Sequence, residues 1–263
     1  MDLGLKDRVA LVTAASRGLG RAVAEGLARE GAAIVMCSRS QEAIERAAQE
    51  IHHITGTPVL AVQADVTREQ DISRLVTLAL DRFQRVDILV CNAGGPPSGP
   101  FLNFSTDDWR RAIELNLLST IMLCRAVVPR MKEHRWGRII NITSVAAKQP
   151  IDGLILSNAV RPGVHGFAKS LARELAPYNI TVNCVCPGYT RTERVVELAQ
   201  KMAASEGISV EDIYRRWESL IPMKRLAEPR EFSDLVVFLA SERASYITGA
   251  SIQVDGGFIA GIF

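Results

Sequence analysis

The sequence predicts one α/β domain, a parallel, doubly wound sheet with helices on both faces. Apolar strands alternate with amphipathic helices from one end of the chain to the other. The strands are continuous apolar runs, as expected when helices cover both faces of a sheet. No linker, low-complexity tract or internal repeat interrupts the 263 residues, a length that fits one large domain. We therefore expect residues 1–263 to fold as a single unit.

The first half of the chain supplies four strands and the helices between them. The predicted strands are short apolar runs at residues 9–14, 33–37, 59–62 and 86–91. The predicted helices repeat apolar residues at helical spacing and cover residues 18–30, 41–54 and 69–83. Such repeated β-α units imply parallel strands in a doubly wound sheet.

The second half continues the alternation with one irregularity. Predicted helices cover 107–115 and 116–131, and predicted strands cover 138–143, 180–186 and 251–254. A further helix contains residues 165–175, but Pro162 and Gly163 stand near its start. Because proline is tolerated only in the first turn of a helix, we expect this helix to begin late, with Asn158 as N-cap, or to kink near Arg161.

One segment contains no strand. Between Gly188 and Pro229 the sequence has only amphipathic pieces, around residues 195–202 and 210–221. A long excursion after the carboxyl end of a strand lies where open α/β sheets bind ligands. We expect residues 189–227 to form a helical lid over the substrate; the alternative is extra helices that merely cover the sheet.

Composition excludes several classes of partner. The net charge is +2, from 31 basic and 29 acidic residues, which offers no electrostatic case for nucleic acid or an anionic membrane. No apolar run approaches the roughly 18 residues of a spanning helix, so we expect no membrane partner. The five cysteines lie mostly in apolar runs without a C-x-x-C, which is typical of buried free thiols in a reducing cytoplasm. No metal-ligand spacing occurs, so no metal is expected.

Two segments indicate a dinucleotide. Residues 13–20 form a glycine-bearing turn between the first strand and helix, where backbone amides can meet a pyrophosphate. After the second strand no acid precedes Glu42, and Ser38 is followed by Arg39. Since an arginine there accommodates a 2′-phosphate, we expect Arg39, with Arg17 in the turn, to select NADP(H) over NAD(H). The alternative is two solvated surface arginines.

Further motifs are spread nearly end to end along the chain. They are Thr13–Gly20, Asp65-Val66, Cys91–Gly94, Asn116, Ser144, Pro187-Gly188 with Thr192, Tyr246–Gly249 and Val254–Gly257. With these motifs the chain resembles the short-chain dehydrogenase/reductase family, and within it the 3-oxoacyl-[acyl-carrier-protein] reductase group, which implies a Rossmann-like fold. The cofactor residues that the resemblance implies are Thr13, Ser16, Arg17, Gly18, Leu19, Gly20, Ser38, Arg39, Asp65, Val66, Asn92, Ala93, Gly94, Pro187, Gly188 and Thr192.

The resemblance also implies a catalytic set, from which this chain departs. It places Ser144, Asn116, Ser157 and Arg161 in the active site, but the family has Tyr at position 157 and Lys at position 161. No Tyr stands four residues before any lysine of this chain, so the Y-x-x-x-K motif is absent. A serine hydroxyl is a far weaker acid than a phenol, and an arginine does not deprotonate as a lysine can.

Three functions remain open on these residues. The first is an NADP(H)-dependent reductase or dehydrogenase that acts on a carbonyl or alcohol, on either a small-molecule or an acyl-carrier substrate. The second is a catalytically impaired nucleotide-binding or regulatory homologue. The third is chemistry in which substrate or water supplies the proton.

Two other residues near these motifs, Lys148 and Tyr189, have two interpretations each. Lys148, four residues after Ser144, either supplies a cation to the pocket or is a solvated loop lysine. Tyr189 either faces the nicotinamide or packs as an aromatic. We expect His165 and Lys169, which share a helix face, to be surface or interface residues.

The apolar helices predict assembly. Residues 117–128 are apolar nearly all round, and residues 164–175 have a similar excess of apolar and small residues. A helix of this kind is buried on both sides, and in the resembled family the two helices pair across a two-fold axis. The uncharged tail, residues 258–263, is a second candidate interface. We expect a homotetramer.

Overall fold

Seven parallel strands form the centre of the molecule in a computed structural model that describes residues 2–262. The sheet order is β3-β2-β1-β4-β5-β6-β7. The strands are β1 Val9–Val12, β2 Ala33–Ser38, β3 Val59–Gln63, β4 Ile88–Cys91, β5 Gly137–Ile142, β6 Ile180–Pro187 and β7 Ser251–Val254. All seven predicted strands are confirmed, and their burial explains why they are continuously apolar.

Helices cover both faces of this sheet. Helices α1 Gly18–Arg29, α2 Gln41–Thr55 and α9 Pro229–Ala240 pack on one face. Helices α3 Glu69–Phe83, α5 Ser119–His134 and α6 Ile155–Leu175 pack on the other. The predicted doubly wound Rossmann-like fold is confirmed.

The strand order changes direction at β1, because β2 and β3 lie on one side of it and β4 to β7 lie on the other. The neighbouring strands β1 and β4 are parallel, and Ala10 is in register with Ile88. Their carboxyl ends therefore lie side by side and carry the glycine turn and the segment that begins at Asn92. Open sheets bind ligands at such a switch point.

The segment predicted to be a lid, residues 189–227, contains two helices, α7 Glu193–Glu206 and α8 Val210–Leu220, with no strand. Their buried faces form a small core of their own around Ile213 and Trp217. Both ends of the segment meet, since Thr190 and Ala227 form an isolated bridge. The segment is thus a closed excursion that returns to the sheet.

The predicted late start of α6, with Asn158 as N-cap, is wrong, whereas a kink near Arg161 stays a prediction. The helix begins at Ile155, before Arg161, and runs through Pro162. Asn158 is not its N-cap, because the Asn158 side chain instead exchanges two hydrogen bonds with the backbone of Ile151. The apolar contacts of Leu156 and Val160 in a buried cluster hold the first turns in place. Tertiary packing therefore outweighs the hydrogen bond that Pro162 removes.

One continuous helical stretch, Thr106–His134, is long and apolar enough to cross a membrane, with a mean hydropathy of 1.4 over an 18-residue window. It comprises α4 Thr106–Ile113, a π-helical turn Glu114–Leu118 and α5. Its residues Leu123 and Val127 are buried against the sheet. Length and composition alone are weak evidence for a membrane span, and we interpret the stretch as a core helix.

Candidate active site

The glycine turn is tied to the neighbouring strand. The Thr13 hydroxyl donates to the carbonyl oxygen of Asn92 at 2.7 Å, and the Asn92 backbone N–H donates to the same hydroxyl at 2.9 Å. The Asn92 side chain also donates to the Ala14 carbonyl oxygen at 3.2 Å. A Cβ on Gly20 would lie 2.5 Å from that carbonyl oxygen, so only glycine fits there. These contacts hold the first turn of α1 at the switch point.

The N-terminus of α1 has free donors. Its N-cap residue, Arg17, makes no capping hydrogen bond, and the first turn contains no acidic residue. The first N–H groups of a helix have no partner within the helix. This end of α1 can therefore accept the pyrophosphate of a dinucleotide.

A cavity of about 340 Å³ lies at the predicted adenosine end. Its lining includes Arg39, Asp65, Arg68 and Arg74. The Arg39 side chain forms no ion pair with any described residue. An unpaired guanidinium at this place can bind a 2′-phosphate. The neighbouring Ser38 and Val66 are buried.

Arg17 points elsewhere. One of its guanidinium nitrogens, Nη1, lies 3.1 Å from Oε1 of Glu197 in α7. In this arrangement the glycine turn is joined to α7, whereas Arg39 lines the 340 Å³ cavity at the predicted adenosine end. The expected joint clamp of both arginines on a 2′-phosphate stays a prediction, and it requires Arg17 to leave Glu197.

The predicted nicotinamide-side residues lie close to the glycine turn. Thr192 precedes α7, and its side chain would be 3.6 Å from a Cβ on Gly18. A Cβ on Gly188 would lie 2.8 Å from the Cβ of Asp255, which excludes a side chain at position 188. The Arg194 guanidinium donates to the carbonyl oxygen of Pro96 at 3.3 Å. The first turn of α7 therefore reaches the loop that follows Asn92, Ala93 and Gly94.

The structure brings the four predicted catalytic residues to buried or half-buried positions on neighbouring elements. Ser144 directly follows β5, and its Oγ accepts a hydrogen bond from the backbone N–H of Ala146 at 3.1 Å. Asn116 is buried in the π-helical turn, where its Oδ1 has no hydrogen-bond partner. Single π-helical turns occur often at functional sites. Ser157 and Arg161 are buried one turn apart on α6.

Arg161 is a buried cation with spare donors. Its Nη1 donates to the Ile142 carbonyl oxygen at 2.9 Å, and its Nε has no partner. Burial lowers the pKa of this guanidinium to about 10, so it is charged at pH 7. No described carboxylate lies within ion-pair distance of it. An orphaned buried N–H at this place suits a hydroxyl of the cofactor's nicotinamide ribose.

A polar cluster beneath the site was missed at the sequence level. The ring nitrogen Nε2 of His165 lies 2.9 Å from Thr143 Oγ1 and 3.6 Å from Cys186 Sγ. The expectation that His165 is a surface or interface residue is wrong, because the ring turns toward the ends of β5 and β6. Burial first, then the charges of Lys148 and Arg161, lower the pKa of His165 to about 4. Helical spacing was the available signal, since residues 157, 161 and 165 share one face.

Tyr189 is a packing aromatic. Its ring stacks on Trp217 with centroids 4.8 Å apart and meets Phe258 edge-on at 5.5 Å. Burial raises the pKa of its phenol. The one tyrosine beside the predicted nicotinamide loop therefore belongs to the small core of the lid.

Comparison with known proteins places the whole chain among reductases. Residues 13–259 match the family described as Enoyl-(Acyl carrier protein) reductase. The 3-oxoacyl-[acyl-carrier-protein] reductase of Aquifex aeolicus is 36% identical over 98% of this chain and 99% of that protein. L-sorbose reductase from Gluconobacter frateurii, solved with NADPH and L-sorbose, covers both chains completely at 33% identity and a TM-score of 0.95. Actinorhodin polyketide ketoreductase with NADPH has a TM-score of 0.92 at 32% identity, covering 95% of this chain and 97% of that one.

Proposed function

The chain belongs to the short-chain dehydrogenase/reductase family and is an oxidoreductase, and from that premise we propose that it reduces a carbonyl group with NADPH. The observation that carries the proposal is the unpaired Arg39 in the adenosine cavity. It is supported by the end-to-end similarity to reductases solved with NADPH. A catalytically impaired binding protein is not favoured, because these relatives are named as reductases.

NADPH, when bound, supplies the hydride. For this chain we propose that the amides at the start of α1 hold the pyrophosphate and that Arg39 holds the 2′-phosphate. Arg161 holds the nicotinamide ribose through its unpartnered Nε. The unpartnered Nε of Arg161 and the absence of a side chain at Gly20 both suit a bound NADPH.

We propose that the Ser144 hydroxyl binds the carbonyl oxygen of the substrate. This hydroxyl accepts only one hydrogen bond, from Ala146, and keeps its own proton available. A donated hydrogen bond stabilises the charge that develops on a carbonyl oxygen during reduction. Asn116 lies in the wall of the site with a free acceptor, Oδ1.

The substrate is a small molecule or an acyl group on a carrier. Relatives of both kinds are similar over nearly the whole chain: one is named for a 3-oxoacyl carrier substrate and another was solved with L-sorbose. The lid, residues 189–227, closes on the substrate in this proposal. Its α7 already contacts the glycine turn through Glu197 and the Pro96 loop through Arg194.

We further propose a cytoplasmic homotetramer. The five cysteines are free and buried, which suits a reducing compartment. Leu118 between α4 and α5 is 42% exposed, and a Cβ on Gly166 of α6 would meet nothing within 4 Å. Both helices thus leave open surface for a second chain. The described part of the tail, residues 258–262, ends in Ile262, which is 90% exposed; Phe263 lies outside the described residues.

A cofactor titration followed by a carbonyl screen tests the reductase proposal. The purified protein is titrated with NADPH and NADH, then assayed with a β-keto ester, a β-keto thioester and L-sorbose. We expect binding of NADPH and its oxidation with one of these carbonyls. The proposal is contradicted if the protein binds neither nucleotide. It is also contradicted if the protein binds NADPH but oxidises it with none of the three carbonyls.

A further inference from the structure

We propose that Lys148 is the proton donor of this active site and does the work of the missing phenol. The inference rests on the proposed carbonyl reduction. Hydride addition leaves an alkoxide that must take up a proton, and general acids speed such steps by about 10²–10⁴-fold. The Ser157 hydroxyl is too weak an acid for this role, so another group must be found.

The polar cluster beneath the site does not supply the donor. His165 is neutral at pH 7, since its pKa is lowered to about 4, and its Nε2 is engaged with Thr143. The Cys186 thiol is fully buried, and burial raises its pKa. His165 therefore has no acidic proton to release at pH 7. Cys186 keeps its proton and lies out of reach of the water that would replace it.

Arg161 and Tyr189 are also excluded. Arg161 is only 7% exposed, and its Nη1 donates to the Ile142 carbonyl oxygen. Although burial lowers the pKa of this guanidinium to about 10, its burial also keeps out the water that would replace a released proton. The Tyr189 phenol stands against Trp217. Arg161 therefore cannot be reprotonated after a turnover, and Tyr189 is held in another cluster.

Lys148 is placed where a donor is needed. Ser144 caps a short 3₁₀ turn, Val145–Ala147, and the backbone N–H of Lys148 closes that turn on the Val145 carbonyl oxygen at 2.9 Å. The backbone N–H of Ala147 donates to the Ser144 carbonyl oxygen at 3.0 Å, so Ser144 and Lys148 stand at the two ends of one tight turn. A flexible four-carbon stem can span such a turn.

The Lys148 ammonium is free. Its charge lowers the pKa of both His165 in α6 and Cys186 in β6. In residues 2–262 its Nζ makes neither an ion pair nor a hydrogen bond, in contrast to Lys169, whose Nζ donates to the Gly249 carbonyl oxygen at 3.0 Å. Lys148 is half-buried, so water can reach it.

The proton balance closes without another reactant. As the carbonyl carbon gains the hydride, its π electron pair moves to the oxygen. A bond from Lys148 Nζ to hydrogen breaks, and the O–H bond of the alcohol forms. The neutral amine then takes a proton from water, so one turnover consumes NADPH and one solvent proton. Arg161 stays protonated throughout.

The test is Lys148→Met, with Lys169→Met as the matched control. With the best carbonyl of the screen, we expect kcat to fall at least 100-fold in K148M while the NADPH Kd stays within twofold; K169M keeps its kcat.

Two further readouts separate a proton donor from a structural residue. Methylammonium added to K148M should restore part of kcat. A K148M kcat within threefold of wild type overturns the assignment while the reductase stands. A rise in KM with unchanged kcat overturns it as well. A wild-type protein that binds NADPH but reduces no carbonyl overturns both.

Discussion

His165 Nε2 lies 2.9 Å from Thr143 Oγ1, so a neutral histidine joins α6 to the residue that precedes Ser144. The neighbouring charges of Lys148 and Arg161 oppose protonation of this ring, as does its burial. Protonation therefore costs more in the folded protein than in the unfolded chain.

This relationship predicts a pH dependence of stability. The His165 pKa is about 4 in the folded protein against an ordinary 6.5, so the unfolded chain binds more protons between these values. The stability that His165 contributes is complete above pH 6.5 and is lost as the pH falls toward 4. Urea unfolding at pH 7.5 and pH 5 should show a larger loss for wild type than for His165→Gln. The same change at exposed His53 should leave the loss as in wild type; equal losses in all three proteins contradict the assignment.

Arg39 should determine cofactor choice. If it binds the 2′-phosphate through charge-assisted hydrogen bonds worth about 1.5–3 kcal/mol, NADPH binds at least tenfold more tightly than NADH. Arg39→Ala should erase the difference by weakening NADPH alone. Arg46→Ala, a change of the same charge on the exposed face of α2, should not. Fluorescence titration measures both affinities, and equal affinities in the wild type would refute the role.

Restoring the family's pair should replace the donor. The change Ser157→Tyr with Arg161→Lys puts a phenol and an ammonium one turn apart on α6. Introduced into K148M, it should raise kcat at least tenfold, because a phenol near an ammonium is an effective acid. Steady-state assays check this, with NADPH binding as the measure of an intact site. A folded, NADPH-binding triple variant as slow as K148M would show that the 157–161 alignment is mistaken.

Ala14 should tolerate glycine with a gain in stability. It adopts φ 47°, in the left-handed region that costs a residue with a Cβ about 1–2 kcal/mol. Glycine removes that cost but loses about 0.5–1 kcal/mol through its more flexible unfolded chain. We expect Ala14→Gly to raise the free energy of unfolding by about 0.5–1 kcal/mol, measured in urea. Ala15→Gly, a buried neighbour without positive φ, should instead destabilise; a loss at both positions would contradict the strain.

Light scattering at micromolar concentration tests the assembly. We expect a mass four times the 28.8 kDa of one chain. Leu118→Asp, which places a charge on the exposed side between α4 and α5, should lower that mass. Leu78→Asp on α3, where the leucine is 37% exposed, is the control and should leave it unchanged. A monomer mass for the wild type refutes the prediction, and a dimer removes only the second interface.

Local patterns were sufficient for the architecture. Apolar runs and helical spacing predicted all seven strands, because a strand covered on both faces has few polar positions along its length. The glycine turn between β1 and α1 was a weak signal in the sequence, and the structure supplies the reason for Gly20, where a Cβ would lie 2.5 Å from the Ala14 carbonyl oxygen. Inspection of the lysines also established that the Tyr of the Y-x-x-x-K motif is missing.

Three features depended on how separate elements pack. Arg17 and Glu197 form their ion pair across 180 residues of chain, and His165 meets Thr143 across 22. The start of α6 at Ile155 is set by apolar contacts that outweigh the local signal of Pro162. Periodicity and turn chemistry describe neighbours along the chain, so the sequence by itself determined the elements, the sheet and the missing acid. Which side chains meet at the active site was decided by the tertiary structure, because those contacts join elements that are distant in sequence.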